Sequence, residues 1–352
     1  MNKGERRRQR RRYRVRYDRI VIFALILTAV IVLMTSCVLA VTGKGEKPQK
    51  RAPEPKTSQS AQTTAPAKEK STDDSGKEDA TKENTTKAVT EKPAQAVDDG
   101  YIAETHTHDE IFMGDLILVN ADHEYRFIDG DVELYSLVQN RNDYYSNGDY
   151  VTKLDSMALT KLNLMMEAFA KSRSLETTNI FVQDGYRTYQ EQADRHSSGK
   201  SSTFEAGHCD YHTGRTFDMF IIREDGSTSY FSAEGDYSWF ADNACKYGFI
   251  VRYPEGKDGA TGEKARAYTY RYVGAPHATY MLDNGLCLEE YITEVKAHTK
   301  EDPLTVAVDG EVSLIYYVPA SEEGDTDVPV PKDKEYTVSG NNSDGFIVTV
   351  KK

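Results

Sequence analysis

Apolar and polar positions divide the 352-residue chain into stretches of different texture. From Ile20 to Val41 every residue is apolar except Thr28, Thr35, Ser36 and Cys37. As a helix this run spans roughly 33 Å, enough to cross a bilayer. Residues 42–100 carry mostly Lys, Glu, Thr, Ser, Ala, Pro and Asp. With hardly any large apolar side chain to bury, they cannot offset the entropy of ordering and are expected to form a disordered linker.

Residues 101–300 have the mixed patterning of a folded domain. Asp115–Asn120 reads as a buried strand, and the tyrosine- and asparagine-rich residues 132–150 as loop. From Ser156, the positions Leu159, Leu162, Met166 and Phe169 share one helical face, with Asp155 or Ser156 as N-cap. Ile180–Val182 makes a short strand, and Asp236–Tyr247 a second helix closed by Gly248. In residues 301–352, Leu304–Val308 and Val312–Val318 flank an Asp309-Gly310 turn as a hairpin. Tyr336–Ser339 and Phe346–Val350 follow as strands after an acidic, proline-bearing loop. About fifty residues are few for a separate core, which favours packing of this extension on the main domain.

Charge sharpens the picture. The net charge is −12, yet residues 1–19 hold Lys3 and nine arginines against Glu5 and Asp18. The acidic remainder argues against nucleic acid as a partner of the folded part. Basic residues directly before the apolar run place residues 1–19 in the cytoplasm and everything after Gly43 outside. Met34-Thr35-Ser36-Cys37 loosely imitates a lipoprotein cleavage site, but the apolar run continues through Val38–Val41, as in an uncleaved anchor. The expectation is a single-pass cell-membrane protein whose main domain faces the cell wall.

Candidate chemistry concentrates in Gly207-His208-Cys209-Asp210-Tyr211-His212-Thr213-Gly214-Arg215-Thr216-Phe217-Asp218, which gathers two imidazoles, a thiol and two carboxylates, the composition of a metal site. Before it lies Gly185-Tyr186-Arg187-Thr188-Tyr189-Gln190; after it come Gly248–Lys257, Thr261-Gly262 and Arg271-Tyr272-Val273-Gly274. In this order the motifs resemble the VanY-type zinc D-alanyl-D-alanine carboxypeptidases over roughly residues 112–295. The resemblance implies an α+β fold, a small antiparallel sheet with flanking helices and a metal cleft across it, here preceded by the transmembrane helix and linker and followed by a short all-β tail.

The same resemblance assigns roles. In the family, zinc is held by Ser-x-His-x-x-Gly-x-Ala-x-Asp and a later Glu-x-x-His, and an arginine in a Ser-Gly-Tyr-Arg-Ser turn holds the substrate carbonyl or carboxylate. Anchoring on Gly214 puts Asp218 on the aspartate ligand and Tyr211 on the first histidine. Anchoring on Thr261-Gly262 or on Arg271–Gly274 puts Arg266 on the general base and Thr269 on the second histidine. Asp218 alone then survives of three ligands, whereas a catalytic zinc site needs three protein donors and an open position. His212 and His208 are weak substitute ligands, His277 a further one, and Glu263 a substitute base. If the chain at His212 is extended, that residue needs a bulge to reach the cleft. The fixed cation of Arg266 beside a divalent metal is repulsive.

No cofactor is therefore expected, with zinc required only under the alternative of an active enzyme. Arg266 is expected to pair with Asp218 and, together with Arg187, Tyr186 and Gln192, to bind a peptidoglycan stem peptide ending in D-alanine. Three readings stand: a membrane-tethered domain that recognises stem peptides with little hydrolysis, an active metallo-D,D-carboxypeptidase with rearranged ligands, and a structural envelope protein acting through its tail. His106 and His108 read as solvated. Cys209, Cys245 and Cys287 leave a disulfide between two of them open. A Cys209 nucleophile beside His208 is the weakest catalytic option.

Overall fold

Asp155 starts the longest helix by accepting hydrogen bonds from Met157 N and Ala158 N. That helix, α1 (Ser156–Ser172), buries Leu159, Leu162, Met165, Met166 and Phe169. The computed structural model describes residues 100–200 and 204–352. The basic segment, the apolar run at 20–41 and the linker up to residue 99 lie outside the described residues. Among the described residues no helix is long and apolar enough to cross a membrane.

Strands are numbered along the chain: β1 (Tyr101–His106), β2 (Leu134–Ser136), β3 (Ser146–Asn147), β4 (Lys153–Asp155), β5 (Ile180–Gln183), β6 (Thr216–Ile222) and β7 (Thr228–Tyr230). They continue with β8 (Phe249–Tyr253), β9 (Arg266–Tyr272), β10 (Leu304–Val308), β11 (Glu311–Pro319), β12 (Thr326–Pro331), β13 (Tyr336–Gly340) and β14 (Gly345–Lys351). The central sheet runs β3-β5-β6-β9-β8, with β7 also on β6. It is antiparallel except for the parallel β3–β5 pair, a departure from the wholly antiparallel expectation. α1 packs on one face, where Leu162, Met166 and Phe169 meet Ile180, Val182, Phe217, Met219 and Tyr270. Alternation along β6 therefore turns Thr216, Asp218 and Phe220 to the other face. That face carries the candidate site.

Of residues 115–120, Leu116, Ile117, Leu118 and Val119 are nearly inaccessible, as expected, while Asp115 and Asn120 at the ends are half-buried. The segment does not form a ladder strand. Arg271 Nη2 donates to the carbonyls of Asp115 and Ile117, and Arg252 Nη2 to that of Val119. Ser339 Oγ accepts from Leu116 N, and Asn342 Nδ2 donates to Leu118 O. Apart from Leu118 N, which donates to the backbone carbonyl of Asn341 at 3.3 Å, the contacts to this backbone come from side chains in place of a neighbouring strand.

Three further expectations are corrected. Residues 132–150 hold β2, β3 and a helical turn at Leu137–Asn140. Asp236–Tyr247 is broken into short turns, Gly235–Tyr237, Trp239–Asn243 and Ala244–Tyr247, before Gly248 adopts φ 89°. The proline-bearing loop contains β12, which pairs with β1 alone, so its proline nitrogens on the open side cost no ladder bond.

The C-terminal strands form a four-stranded sheet, β10-β11-β14-β13. Val306, Ile315 and Ile347 share a core with Met281 of α2 (Ala275–Asn284) and with Leu288, Tyr291 and Ile292 of α3 (Leu288–Val295). His277 lies in this seam. Its Nδ1 is 2.6 Å from Tyr291 Oη and its Nε2 2.9 Å from Thr349 Oγ1, and burial drives its pKa down to about 3. His277 is thus a packing residue and does not substitute for a metal ligand. His106 is not solvated either: it packs on Phe346 at 5.2 Å between Glu104 and Glu110.

Candidate functional site

The segment 210–213 is a 3₁₀ turn rather than extended chain, closed by Gly214 at φ 67°. A Cβ at Gly214 would lie 2.9 Å from Val132 Cγ2, so both the left-handed backbone and the crowding call for glycine there. The turn delivers Tyr211 to the β6 face, where its hydroxyl donates to Asp218 Oδ1 at 2.7 Å. Thr269 pairs directly with Asp218 across β6 and β9, and its Oγ1 donates to the same oxygen at 2.7 Å. The three positions that the resemblance assigns to metal ligands therefore converge, joined by hydrogen bonds. Burial raises the Asp218 pKa to about 6 and pushes the Tyr211 phenol well above its ordinary range.

This donor set does not fit zinc. A phenol held protonated, a threonine hydroxyl and one carboxylate whose Oδ1 already accepts two hydrogen bonds are not the imidazole, thiolate and carboxylate donors that such an ion requires. Among the described residues no group of three His, Cys, Asp or Glu side chains is placed to hold a metal.

His212, one residue from Tyr211, points elsewhere. Its Nδ1 donates to Arg187 O at 2.6 Å and its Nε2 accepts from Gly207 N at 3.1 Å. Both ring nitrogens are spent, and burial lowers the pKa, so the ring is a neutral fastener between two loops. The obstacle to ligation is the direction of the turn, not the lack of a bulge. His208 is held at 2.9 Å from Asn120 O and lines a cavity of about 290 Å³ with Phe204, Tyr253 and Glu263.

Arg187 is buried, with its guanidinium 3.9 Å above the Tyr211 ring. Nη1 donates to Gln192 Oε1 at 3.0 Å and Nη2 to Asp184 Oδ1 at 3.2 Å, while Nε is buried without a hydrogen-bond partner among the described residues. Gln192 is completely buried and donates its Nε2 to Phe204 O at 2.7 Å. It cannot touch a ligand, so its role is to position Arg187. Both lie at or beside the helix Tyr189–Ser197, whose start is fixed by reciprocal hydrogen bonds between Thr188 and Glu191. Tyr186 is half-buried beside them.

Arg266 does not pair with Asp218. Its Nη2 is 2.9 Å from Glu263 Oε2, and its guanidinium lies over Phe204 at 4.6 Å and Tyr253 at 5.4 Å. Asp218 is satisfied instead by two neutral hydroxyls, and Glu263 is an ion-pair partner rather than a poised base. Cys209 is buried and its thiol is pushed up to about 11 by burial, which removes it as a nucleophile. Cys209, Cys245 and Cys287 are all free thiols, so the disulfide left open by their number is not formed.

Sequence reasoning missed the support beneath the site. Asp210 is fully buried, with Oδ1 2.8 Å from Arg271 Nη1 and 3.2 Å from Arg252 Nε, and Oδ2 accepts from Thr216. The contact from Arg252 Nε is one of charge without hydrogen-bond alignment. Arg252 completes a two-pronged pair with Glu289 at 3.1 and 2.8 Å. The signal was available: Arg252 interrupts the apolar run of β8 and Arg271 the buried end of β9, which a strand buried on both faces tolerates only with a partner.

The family model VanY, described as D-alanyl-D-alanine carboxypeptidase, matches residues 151–275. A D-alanyl-D-alanine carboxypeptidase of Enterococcus faecium is 30% identical over 252 residues, covering 70% of this chain and 78% of that protein. The putative carboxypeptidase YodJ of Bacillus subtilis is 35% identical over 150 residues, 40% of this chain and 53% of its own length. Among solved structures, the vancomycin-resistance D,D-dipeptidase VanXYg in complex with a D-Ala-D-Ala phosphinate analog superposes with a TM-score of 0.60 at 26% identity. That match covers 72% of this chain and 99% of the other.

Proposed function

The chain belongs to the VanY family of D-alanyl-D-alanine carboxypeptidases, and on that premise we propose that it binds peptidoglycan stem peptides ending in D-alanine with little or no hydrolysis. The observation that carries this reading is the pair of hydroxyls, from Tyr211 and Thr269, on Asp218 Oδ1. They occupy two ligand positions with groups that complete a carboxylate's hydrogen bonding instead of a metal's coordination. A fixed cation, Arg266, takes the place of the general base.

Support for ligand binding comes from what is kept. VanXYg is described in complex with a D-Ala-D-Ala phosphinate analog, and this chain aligns with almost all of it. Arg187 keeps its place after β5, and its buried, unpartnered Nε is a donor that a ligand carbonyl or carboxylate can satisfy. Zinc chemistry belongs to the alternative of an active enzyme, and the donor set does not favour it.

The proposal extends to location. An anchor at residues 20–41, basic on its N-terminal side, tethers the domain outside a cell membrane within reach of the wall; its support is the sequence pattern. Isothermal titration with an N-acetylated L-Lys-D-Ala-D-Ala peptide, beside a D-alanine release assay, tests the function. Heat of binding without release supports it. Absence of binding at millimolar peptide, or turnover, removes it.

A further inference from the structure

Arg187 is delivered by a short turn that leaves β5 one residue past the Gln183–Asp218 pair. The first residue of that turn, Asp184, takes a left-handed backbone at φ 57°, which aspartate and asparagine tolerate better than most side chains. Glycine follows at 185 because a Cβ there would collide with Lys153 O, so the turn is drawn tight against β4. The Asp184 carboxylate meets two guanidinium groups: Oδ1 lies 3.2 Å from Arg187 Nη2 and 2.8 Å from Arg195 Nη2. These arginines stand at opposite ends of the helix Tyr189–Ser197, Arg187 just before its cap and Arg195 in its last turn. One carboxylate thus ties the start of the helix to its end.

Around the Arg187 guanidinium the contacts are of different kinds. The Tyr211 ring lies against its face, while Gln192 Oε1 and Cys209 Sγ both meet Nη1, the sulfur at 3.9 Å. All three are neutral groups. Among the described residues the carboxylate in ion-pair contact with Arg187 is Asp184. A guanidinium stays charged when buried, so this counter-charge bears on whether Arg187 can sit where it does. The same charge acts on Asp218, adding to burial in holding that carboxyl at about 6. Helix stability alone does not account for the placement. The Arg195 partner is 39% exposed at its side chain, and a pair with so exposed a cation contributes little. A side chain kept in the left-handed region is retained where its surroundings require it.

Resting on the peptide-binding function above, we propose that Asp184 is a positioning residue for that function: shared between Arg187 and Arg195, its carboxylate fixes the Arg187 guanidinium in the orientation that leaves Nε as the donor for the ligand. Asp184 touches no ligand itself and acts through Arg187. Without it Nη2 loses its acceptor, and the long side chain regains freedom about its last torsions. The cost of ordering that side chain then falls on ligand binding, a loss of about tenfold in affinity.

The test joins peptide titration to NMR of the arginine Nε–H groups. Asp184→Gly keeps the left-handed backbone and removes the carboxylate, whereas Asp184→Asn keeps an acceptor oxygen; each is made alone and with Arg187→Lys. With the N-acetylated L-Lys-D-Ala-D-Ala peptide, Asp184→Gly is expected to weaken binding about tenfold when Arg187 is present and not at all beside Arg187→Lys. Asp184→Asn stays within about threefold of the parent. The Arg187 Nε–H signal, assigned by its loss in Arg187→Lys, is expected to be sharp in the parent and in Asp184→Asn and broadened in Asp184→Gly. Equal weakening with and without Arg187 gives Asp184 a general structural role and overturns the proposal, as does a sharp Nε–H signal in Asp184→Gly. If Asp184→Gly does not fold, Arg195→Gln takes its place. Removing the second anchor of the carboxylate is expected to broaden the same signal, and an unchanged signal overturns the proposal. A parent that binds no peptide overturns the binding function instead, and the Nε–H signal still decides the positioning.

Discussion

Thr269 sits directly opposite Asp218 across two antiparallel strands, and its hydroxyl reaches the carboxylate at 2.7 Å. In a metal site of this family that cross-strand pair would be two ligands to one ion. Here a hydrogen bond spans the same gap, and Tyr211 supplies the second donor to the same oxygen. The pocket is thereby closed on itself by neutral groups around one buried acid.

A buried acid leaves a pH signature. Asp218 titrates at about 6 in the folded chain against 3.8 for the unfolded reference, so the native state holds more protons between those values. Stability from this group is greatest near pH 4 and declines as pH rises towards 6, by on the order of 3 kcal/mol in total. Asp218→Asn keeps an oxygen for both hydroxyls and removes the charge. Urea unfolding at pH 7.5 is expected to find the variant more stable than the parent, with the difference shrinking towards pH 4.5.

His212 predicts the opposite slope. Its folded pKa is depressed below 6.5 by burial, so the stability it supports is present above that value and is lost as pH falls below it. His212→Ala removes two buried hydrogen bonds and is expected to cost about 2–4 kcal/mol at pH 7.5. Denaturant titration checks the loss. A metal-binding role would instead appear as changed metal content at unchanged stability.

Much of this architecture was legible in the residues, and the rest was hidden for identifiable reasons. α1 could be read because an apolar period of 3.6 and the Asp155 cap agree, and because both depend on residues within a few positions. The convergence of Tyr211, Asp218 and Thr269 was legible through motif register. The Arg266 partner was not, because Glu263 and Asp218 are both carboxylates within reach of a long side chain and only the fold decides between them. Residues 115–119 read as a strand because burial and strand formation share one apolar signature. The arginines that replace their ladder lie more than 130 positions away. β12 was obscured by prolines that an isolated two-stranded pair tolerates.

Beneath the site, Asp210 holds two buried guanidinium groups together. Asp210→Ala leaves Arg271 without a carboxylate partner and Arg252 with Glu289 alone, and is expected to destabilise the chain by about 3–5 kcal/mol. Thermal unfolding measures it, and an effect below 1 kcal/mol would show that water or movement relieves the arginines.

The thiols of the described residues give a simple chemical check. Cys209, Cys245 and Cys287 are buried and unpaired. Ellman's reagent is expected to label none of the three in the native protein and all three in denaturant, without a reductant. Labelling of only one after unfolding would indicate a disulfide.

Restoring the family's donors supplies a gain-of-function control. Tyr211→His, Thr269→His and Arg266→Glu together place two imidazoles beside Asp218 and remove the opposing cation. The triple variant is expected to bind zinc at least a hundredfold more tightly than the parent, a difference of about 2.7 kcal/mol, by competition with a chromogenic chelator.

The most direct measurement is the zinc content of the unaltered protein, purified without chelators and equilibrated with a slight excess of the metal before desalting. The hydroxyl-closed pocket predicts far less than one zinc per chain, unchanged by Asp218→Asn. One zinc per chain, lost on substitution of Asp218, would contradict it.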